Sequence, residues 1–345
     1  MKKSRIIISF TVIALLIQHT MFLYIENIYL SSDMKIKIEK SDDKESTKNE
    51  KKEIKLKEGL DDFKVSSNGR FVASLENGKI KVLDSNDNKD KELKSSVDGE
   101  VVFYKWVTNS DSIMVIQKIK EKGKYYFKPV AFNAKSGDET ELSDFNVNKL
   151  KVKVENSEDK VEDIPFSIGT HSLYIKIRKS NGKCDLYYAN IMNELEKKRD
   201  NKDIGNIVVP TTAANAIMEM GSNVTILDSR GNLSIPNFKN PKVLGTDIED
   251  NVYFGSESNG KVDKICYSVA SDKYKEWKQL KLDKPVDKED ILVDYSGKVY
   301  VNDKDKKCVL ELISNKSINY KGELVQSYSK GVISKVGNKL IKNNI

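Results

Sequence analysis

A β-hairpin that recurs seven times constrains this chain more than any other feature. The clearest copy runs Phe71-Val72-Ala73-Ser74-Leu75, turns at Asn77-Gly78-Lys79 and returns as Ile80-Lys81-Val82-Leu83-Asp84. Asn-Gly between apolar runs is the strongest short hairpin signal, because both central positions of the tight turn need positive φ. The dipeptide returns as Asn181-Gly182, between Leu173–Ile177 and Leu186–Tyr188. It returns again as Asn259-Gly260, between Val252–Phe254 and Ile265–Tyr267. Looser copies pair Ile113–Ile116 with Tyr125–Phe127, Ile217–Met220 with Val224–Asp228, Val299–Val301 with Cys308–Leu310, and Val332–Ser334 with Leu340-Ile341. Seven hairpins over residues 53–345 make about 42 residues per unit, the length of a four-stranded propeller blade. A further strand precedes each hairpin, as at Val101–Tyr104 or Ile207–Val209, and a weaker polar one follows most.

The pattern predicts an all-β, seven-bladed β-propeller, with six blades as the next count. The last unit has no room for a fourth strand, whereas Glu53-Ile54-Lys55-Leu56-Lys57 is spare material ahead of the first. An open ring would leave raw sheet edges, so this N-terminal strand is expected to complete the last blade. The charged stretch Asn146–Lys160 reads as an inserted loop. Ile191–Lys198 reads as one or two turns of helix.

Ile6 to Ile25 is a 20-residue run without a charge. At about 1.5 Å per residue a helix of that length crosses the roughly 30 Å hydrocarbon layer. Lys2, Lys3 and Arg5 precede it, which places the N-terminus inside and the rest outside. Gln18 to Tyr29 offers no small-x-small cleavage site, so the segment reads as an uncleaved anchor. Ser31 to Lys51 is nearly all charged or small polar and cannot bury enough apolar surface to order itself. The expected organisation is a cytoplasmic tail at 1–5, a transmembrane signal anchor at 6–26, a charged flexible stalk at 27–52 and an extracytoplasmic propeller at 53–345. The plasma membrane is then one partner, held by a single pass.

Val65-Ser66-Ser67-Asn68-Gly69-Arg70-Phe71-Val72-Ala73 resembles the blade signature of TolB-like and prolyl-oligopeptidase-type propellers, whose usual form is a Ser-Pro-Asp-Gly-Arg turn before an apolar strand. Trp106-Val107-Thr108-Asn109-Ser110-Asp111-Ser112-Ile113 is similar to a second, degenerate copy. The turn residues accept the backbone angles of a tight strand-to-strand connection. The resemblance implies a propeller and is silent on activity. Propellers of that family often gate a hydrolase domain, and none is expected here.

No G-x-S-x-G elbow, Walker loop or G-x-G-x-x-G is present. The chain has two His, and His171 sits in a Gly169–Ser172 turn, where a solvent-facing or turn-bonding role is expected. Asp84–Asp90 imitates a calcium loop, but Lys89 and Ser95 stand where Gly and Glu are needed. Asp303 and Asp305 are a weaker imitation. Cys184, Cys266 and Cys308 form no CxxC pair and read as small apolar strand residues. Tyr125, Tyr126, Tyr187, Tyr188 and Trp277 read as core or inter-blade packing, with a carbohydrate-stacking surface as the alternative. The net charge of +7 is carried by Lys interspersed with acids, and Arg is confined to Arg5, Arg70, Arg178, Arg199 and Arg230. Nucleic-acid readers lean on Arg, so no nucleic-acid partner is expected. No catalytic, cofactor-binding or metal residue is assigned, and no cofactor is expected. The function expected is a non-catalytic protein-interaction or sensory scaffold at the bacterial cell envelope, with an envelope protein as partner. The alternatives are a cell-wall glycan or polymer-binding module, and a propeller-type lyase or glycosidase.

Overall fold

The second strands of the repeats are buried on both faces. Leu173–Arg178 is buried at five successive residues and Ser112–Glu121 at six. Such strands need a sheet on either side, and alternation of polar and apolar residues gives way to continuous apolar runs. The structure, a computed structural model, describes residues 52–344 apart from Val97, Phe145, 191–192, 213–214, Arg230 and 271–275, together with Leu15, Gln18 and His19. It holds seven antiparallel sheets.

Blade 1 comprises Phe63–Val65, Phe71–Glu76, Lys79–Asp84 and Lys89–Glu92. Blade 2 comprises Glu100–Trp106, Ser112–Glu121, Lys124–Asn133 and an outer edge split between Glu139–Glu141 and Val152–Lys153. Blade 3 comprises Lys160–Asp163, Leu173–Arg178, Cys184–Asn190 and Asn193–Lys202. Blade 4 comprises Ile204–Val208, Ile217–Met220 and Asn223–Ile226, with a lone bridge from Thr225 to Asn232 at its outer edge. Blade 5 comprises Pro241–Thr246, Asn251–Ser258, Lys261–Val269 and Lys278–Leu280, and blade 6 Ile291–Val293, Val299–Asp303, Cys308–Glu311 and Lys316–Asn319. Blade 7 comprises Glu323–Tyr328, Gly331–Val336 and Lys339–Asn344, with Glu53–Lys55 as its outermost strand.

The apolar side chains form seven clusters, and each joins two consecutive blades. Phe71 and Val82 meet Tyr104 and Ile113, and Met114 and Phe127 meet Leu173 and Ile175. Tyr174 and Leu186 meet Ile204 and Met218, and Ile217 and Val224 meet Val252 and Phe254. Tyr253 and Ile265 meet Ile291 and Val299, and Tyr300 and Val309 meet Val332. The seventh cluster joins Ile54, Tyr328 and Ile333 of blade 7 to Val65 and Val72 of blade 1, so the ring is closed. The closing strand pairs Glu53 with Ile341, Ile54 with Leu340 and Lys55 with Lys339, as the spare N-terminal material predicted.

All seven expected hairpins form. Asn77-Gly78 and Asn259-Gly260 take positive φ at both positions, 51° with 75° and 52° with 76°. At Asn181-Gly182 only Gly182 does, with φ 80°. Two expectations are corrected. The helix read over Ile191–Lys198 is absent from its described residues, because Asn193–Lys202 is the outer strand of blade 3. Its Lys and Glu favour helix in isolation, but the open edge of Cys184–Asn190 supplies a partner for its backbone, with register shifts absorbing the misfit. The insertion is not all loop either: Val152 and Lys153 pair with Phe127 and Tyr126, and Lys160 opens a strand of blade 3. The expected tail, anchor and stalk lie outside the described residues, apart from Lys52 and the helical Leu15, Gln18 and His19. No helix among the described residues is long and apolar enough to cross a membrane.

Closure by this strand sets an expectation for stability. Ile54 is fully buried and Lys55 beside it is exposed. Ile54→Ala is expected to lower unfolding stability by about 2–5 kcal/mol, and Lys55→Ala to stay within about 0.5 kcal/mol, in urea titrations of the full chain. Equal midpoints for the two variants would contradict closure at this position.

Candidate functional site

The turns that join the first and second strands of the blades are laced to one another, so they share one face of the ring. Their local chemistry repeats. In blade 6, Asp294 N–H donates to Lys298 O at 2.9 Å, Gly297 N–H to Asp294 O at 2.9 Å, and Ser296 N–H to the Asp294 carboxylate at 2.9 Å. Gly297 supplies the left-handed residue, with φ 86°. In blade 5, the Asp247 carboxylate accepts from Glu249 N–H at 3.0 Å and Asn251 N–H at 2.9 Å, and Asp250 takes the left-handed position at φ 61°. In blade 1, Ser66 Oγ accepts from Phe71 N–H at 2.9 Å, and Gly69 has φ 71°. The turn at Ser66–Arg70 therefore has counterparts in Asp247–Asn251 and Asp294–Lys298, which the repeat pattern did not single out. The available signal was Ser or Asp followed three residues later by Gly or Asp.

Hydrogen bonds then run from turn to turn. Asn68 Nδ2 donates to Asp111 at 3.0 Å, and Asn109 N–H to Ser67 Oγ at 3.0 Å. Ser167 Oγ and Gly169 N–H both donate to Thr211 O, at 2.8 and 3.0 Å. A Cβ on Gly169 would lie 2.3 Å from that oxygen, so glycine is required there. The buried Asp250 carboxylate accepts from Thr211 N–H, from Thr212 N–H and from the Thr212 hydroxyl. Thr211 Oγ1 and the Tyr295 hydroxyl share a bond of 3.0 Å, and Ile248 N–H donates to Tyr295 O at 2.9 Å. Lys298 reaches Ser329 O at 3.3 Å, and Gln326 reaches Ser66 O at 3.4 Å. Between blades 2 and 3 the link lies in the innermost strands, where Lys105 pairs with Asp163 at 2.7 Å. On this fixed frame Ile248 stands out at 51% exposure, beside the half-buried Tyr295.

The residues singled out in the sequence do not converge. Asp84 is gripped by Arg70, at 3.2 and 2.7 Å; Asp87 caps Lys89 N–H at 3.0 Å; Asp90 pairs with Lys57 at 2.6 Å. Asp303 caps Lys306 N–H and pairs weakly with Lys284 at 3.5 Å. Cys184 and Cys266 are free, buried strand residues, and Cys308 is a half-buried one. Tyr188 packs against Tyr174 at 4.9 Å between ring centroids and Trp277 against Phe254 at 5.8 Å, each pair within one blade, and both rings also join the clusters that seam blades 3–4 and 4–5, as expected of core or inter-blade packing. Tyr125, Tyr126 and Tyr187 instead carry lysines over their rings. His171 has φ 52° in its turn, lies edge-on to Phe166 and buries Nδ1 without a hydrogen-bond partner. Burial holds its pKa below the ordinary 6.5. A belt of this kind can hold a surface rigid.

Two outcomes follow. Asp250→Ala strands the Thr211 and Thr212 N–H groups and is expected to cost about 1–3 kcal/mol in denaturant titrations. The unfolded chain protonates His171 before the folded one, so stability is lost as pH falls below about 6.5. In His171→Asn, which tolerates positive φ, thermal midpoints should fall less steeply than wild type between about pH 6.5 and 5. Parallel curves would remove His171 from the pH response.

No protein-family model and no curated protein matches the chain. Among solved structures, it is similar to a chain of the mitotic checkpoint complex, at 10% identity and a TM-score of 0.49, over 85% of this chain and 90% of that one. It is similar to the Cps50 (Swd1) β-propeller domain of Myceliophteria thermophila, at 9% identity and a TM-score of 0.48, over 84% of this chain and 97% of that one. A chain of the nidogen/laminin complex is similar at 10% identity and a TM-score of 0.38, over 72% and 91%. The seven-bladed fold rests on the sheets and clusters described above.

Proposed function

We propose that this chain is a membrane-anchored, extracytoplasmic propeller that binds a protein partner of the cell envelope through the laced face of the ring. The observation that carries the reading is the exposed Ile248 mounted on a turn fixed at Asp247, Asp250 and Tyr295. An apolar anchor on a rigid, hydrogen-bonded frame loses little entropy on binding, which is how interface hot spots are built. The uncharged run from Ile6 to Ile25, behind Lys2, Lys3 and Arg5, supports the anchored, outside orientation. The Ser66–Arg70 turn supports kinship with TolB-like propellers. A glycan platform would want several aromatic rings open on one surface, whereas Tyr188 and Trp277 are packed into the clusters between blades.

The test is crosslinking of the tagged full-length protein in its native host, with companions identified by mass spectrometry. One envelope protein is expected to be enriched by wild type and reduced at least about ten-fold with Ile248→Asp, a loss of about 1.4 kcal/mol or more. The variant should keep the wild-type melting curve, since Ile248 is exposed. Equal capture by both proteins would sink the assignment of this face, and turnover of a substrate by the purified protein would sink the scaffold reading.

A further inference from the structure

The hairpin of blade 2 is unlike the other six. Its strands, Ser112–Glu121 and Lys124–Asn133, run 10 residues each, against 8 and 9 in blade 5 and shorter elsewhere. Lys122 and Gly123 turn it, with φ 47° and 78°. The distal half carries Lys118, Lys120, Lys122 and Lys124, and Val152–Lys153 adds Lys153 opposite Tyr126. Tyr125 is 47% exposed, with the Lys118 and Lys120 ammonium groups 5.3 and 5.5 Å from its ring centre.

Five lysines gather at this tip. Many others in the chain are matched, such as Lys81 with Glu76 at 2.6 Å, Lys304 with Asp290 at 2.9 Å, and Lys197 with Asp185 at 2.9 Å. Among the described residues, Lys118, Lys120, Lys122, Lys124 and Lys153 make no ion pair. Glu121, the acid of the tip, is taken by Lys151, and Glu100 stands opposite Lys118 in the register. Five cations without an ion pair around an exposed tyrosine form a local positive field inside a chain of mixed sign.

We infer that this hairpin tip docks on an anionic lipid surface. The charge calls for an anionic partner, and the shape selects among them. The tip is a protrusion, which meets a plane of headgroups; a polyanionic chain is held better by a groove. The pocket of about 250 Å³ at the blade 7–1 seam is lined by Lys55, Leu56, Leu60, Val72 and Leu83, none of them from this hairpin. Tyrosine settles at headgroup level, and lysines extend their stems so that the ammonium reaches phosphate. This contact is separate from the Ile248 face and does not require residues 6–25 to span the bilayer.

The test uses the full-length protein held in phosphatidylcholine nanodiscs, so that its apolar N-terminal run is already covered. Flotation is measured with vesicles of phosphatidylcholine alone and of phosphatidylcholine with phosphatidylglycerol. Binding is expected only to the second, and it should weaken as NaCl rises. Replacing Lys120, Lys122 and Lys124 together by Ser should weaken binding about five-fold per lysine, roughly a hundred-fold in all. Lys281→Ser, Lys316→Ser and Lys321→Ser combined make the same charge change at exposed sites elsewhere, and should change binding by less than about two-fold. Equal losses in the two triple variants would reduce the effect to net charge and overturn the proposal. So would absence of vesicle binding, or binding to soluble polyphosphate in its place. Ile248→Asp should float like wild type, so the lipid result and the partner result fail separately.

Discussion

Three backbone pairings, Glu53 with Ile341, Ile54 with Leu340 and Lys55 with Lys339, join the two ends of the ring. Burial of the faces at the blade 7–1 seam depends on that join. Each blade is buried because it has a neighbour on both sides, and the seven apolar clusters are all seams between blades rather than interiors of one. A chain of sheets left open would expose the faces around Tyr328, Ile333 and Leu340 on one side and Val65 and Val72 on the other. Pairing two chain ends that are far apart in sequence makes closure the non-local event of this fold.

The polar groups within the seams have structural work that accounts for their burial. Glu219 of blade 4 accepts from Val243 N–H of blade 5 at 2.7 Å, from Lys288 at 2.6 Å and from Asn206 N–H at 3.2 Å. Asp250, Asp247 and Asp294 do the same for the turns of the laced face. Buried carboxylates that accept two or three hydrogen bonds are satisfied, and satisfied networks hold one arrangement. Rigidity here comes from the polar belt around the turns as much as from the apolar seams. The tip of blade 2 differs from these networks: Lys120, Lys122, Lys124 and Lys153 are exposed, and Lys118 is half-buried.

Much of the architecture was readable because the repeat is written in local terms. The hairpins at Phe71, Val252 and Val332 declare themselves by apolar runs and by residues that accept positive φ. The outer strands are another matter. Asn193–Lys202 is made of residues that favour helix alone, and only the edge of Cys184–Asn190 makes it a strand. The laced face was less legible still. Asp247–Asn251 and Asp294–Lys298 lack the Gly-Arg ending of Ser66–Arg70, and their kinship lies mainly in hydrogen-bond geometry, with only a Ser or Asp three residues before a Gly or Asp to show it in the sequence.

The sequence by itself determined the number of units, the position of each hairpin, and the strand held back at Glu53 to complete the last blade. These follow from turn chemistry and apolar periodicity, which act within a few residues. Tertiary structure alone decided which acids lace which turns, that Ile248 stands exposed beside Tyr295, and that the lysines at the tip of the blade 2 hairpin make no ion pair among the described residues. Those outcomes depend on partners some 40 residues or more away in sequence, such as Thr211 and Asp250 or Asn68 and Asp111. Such distances close only when one blade packs on the next.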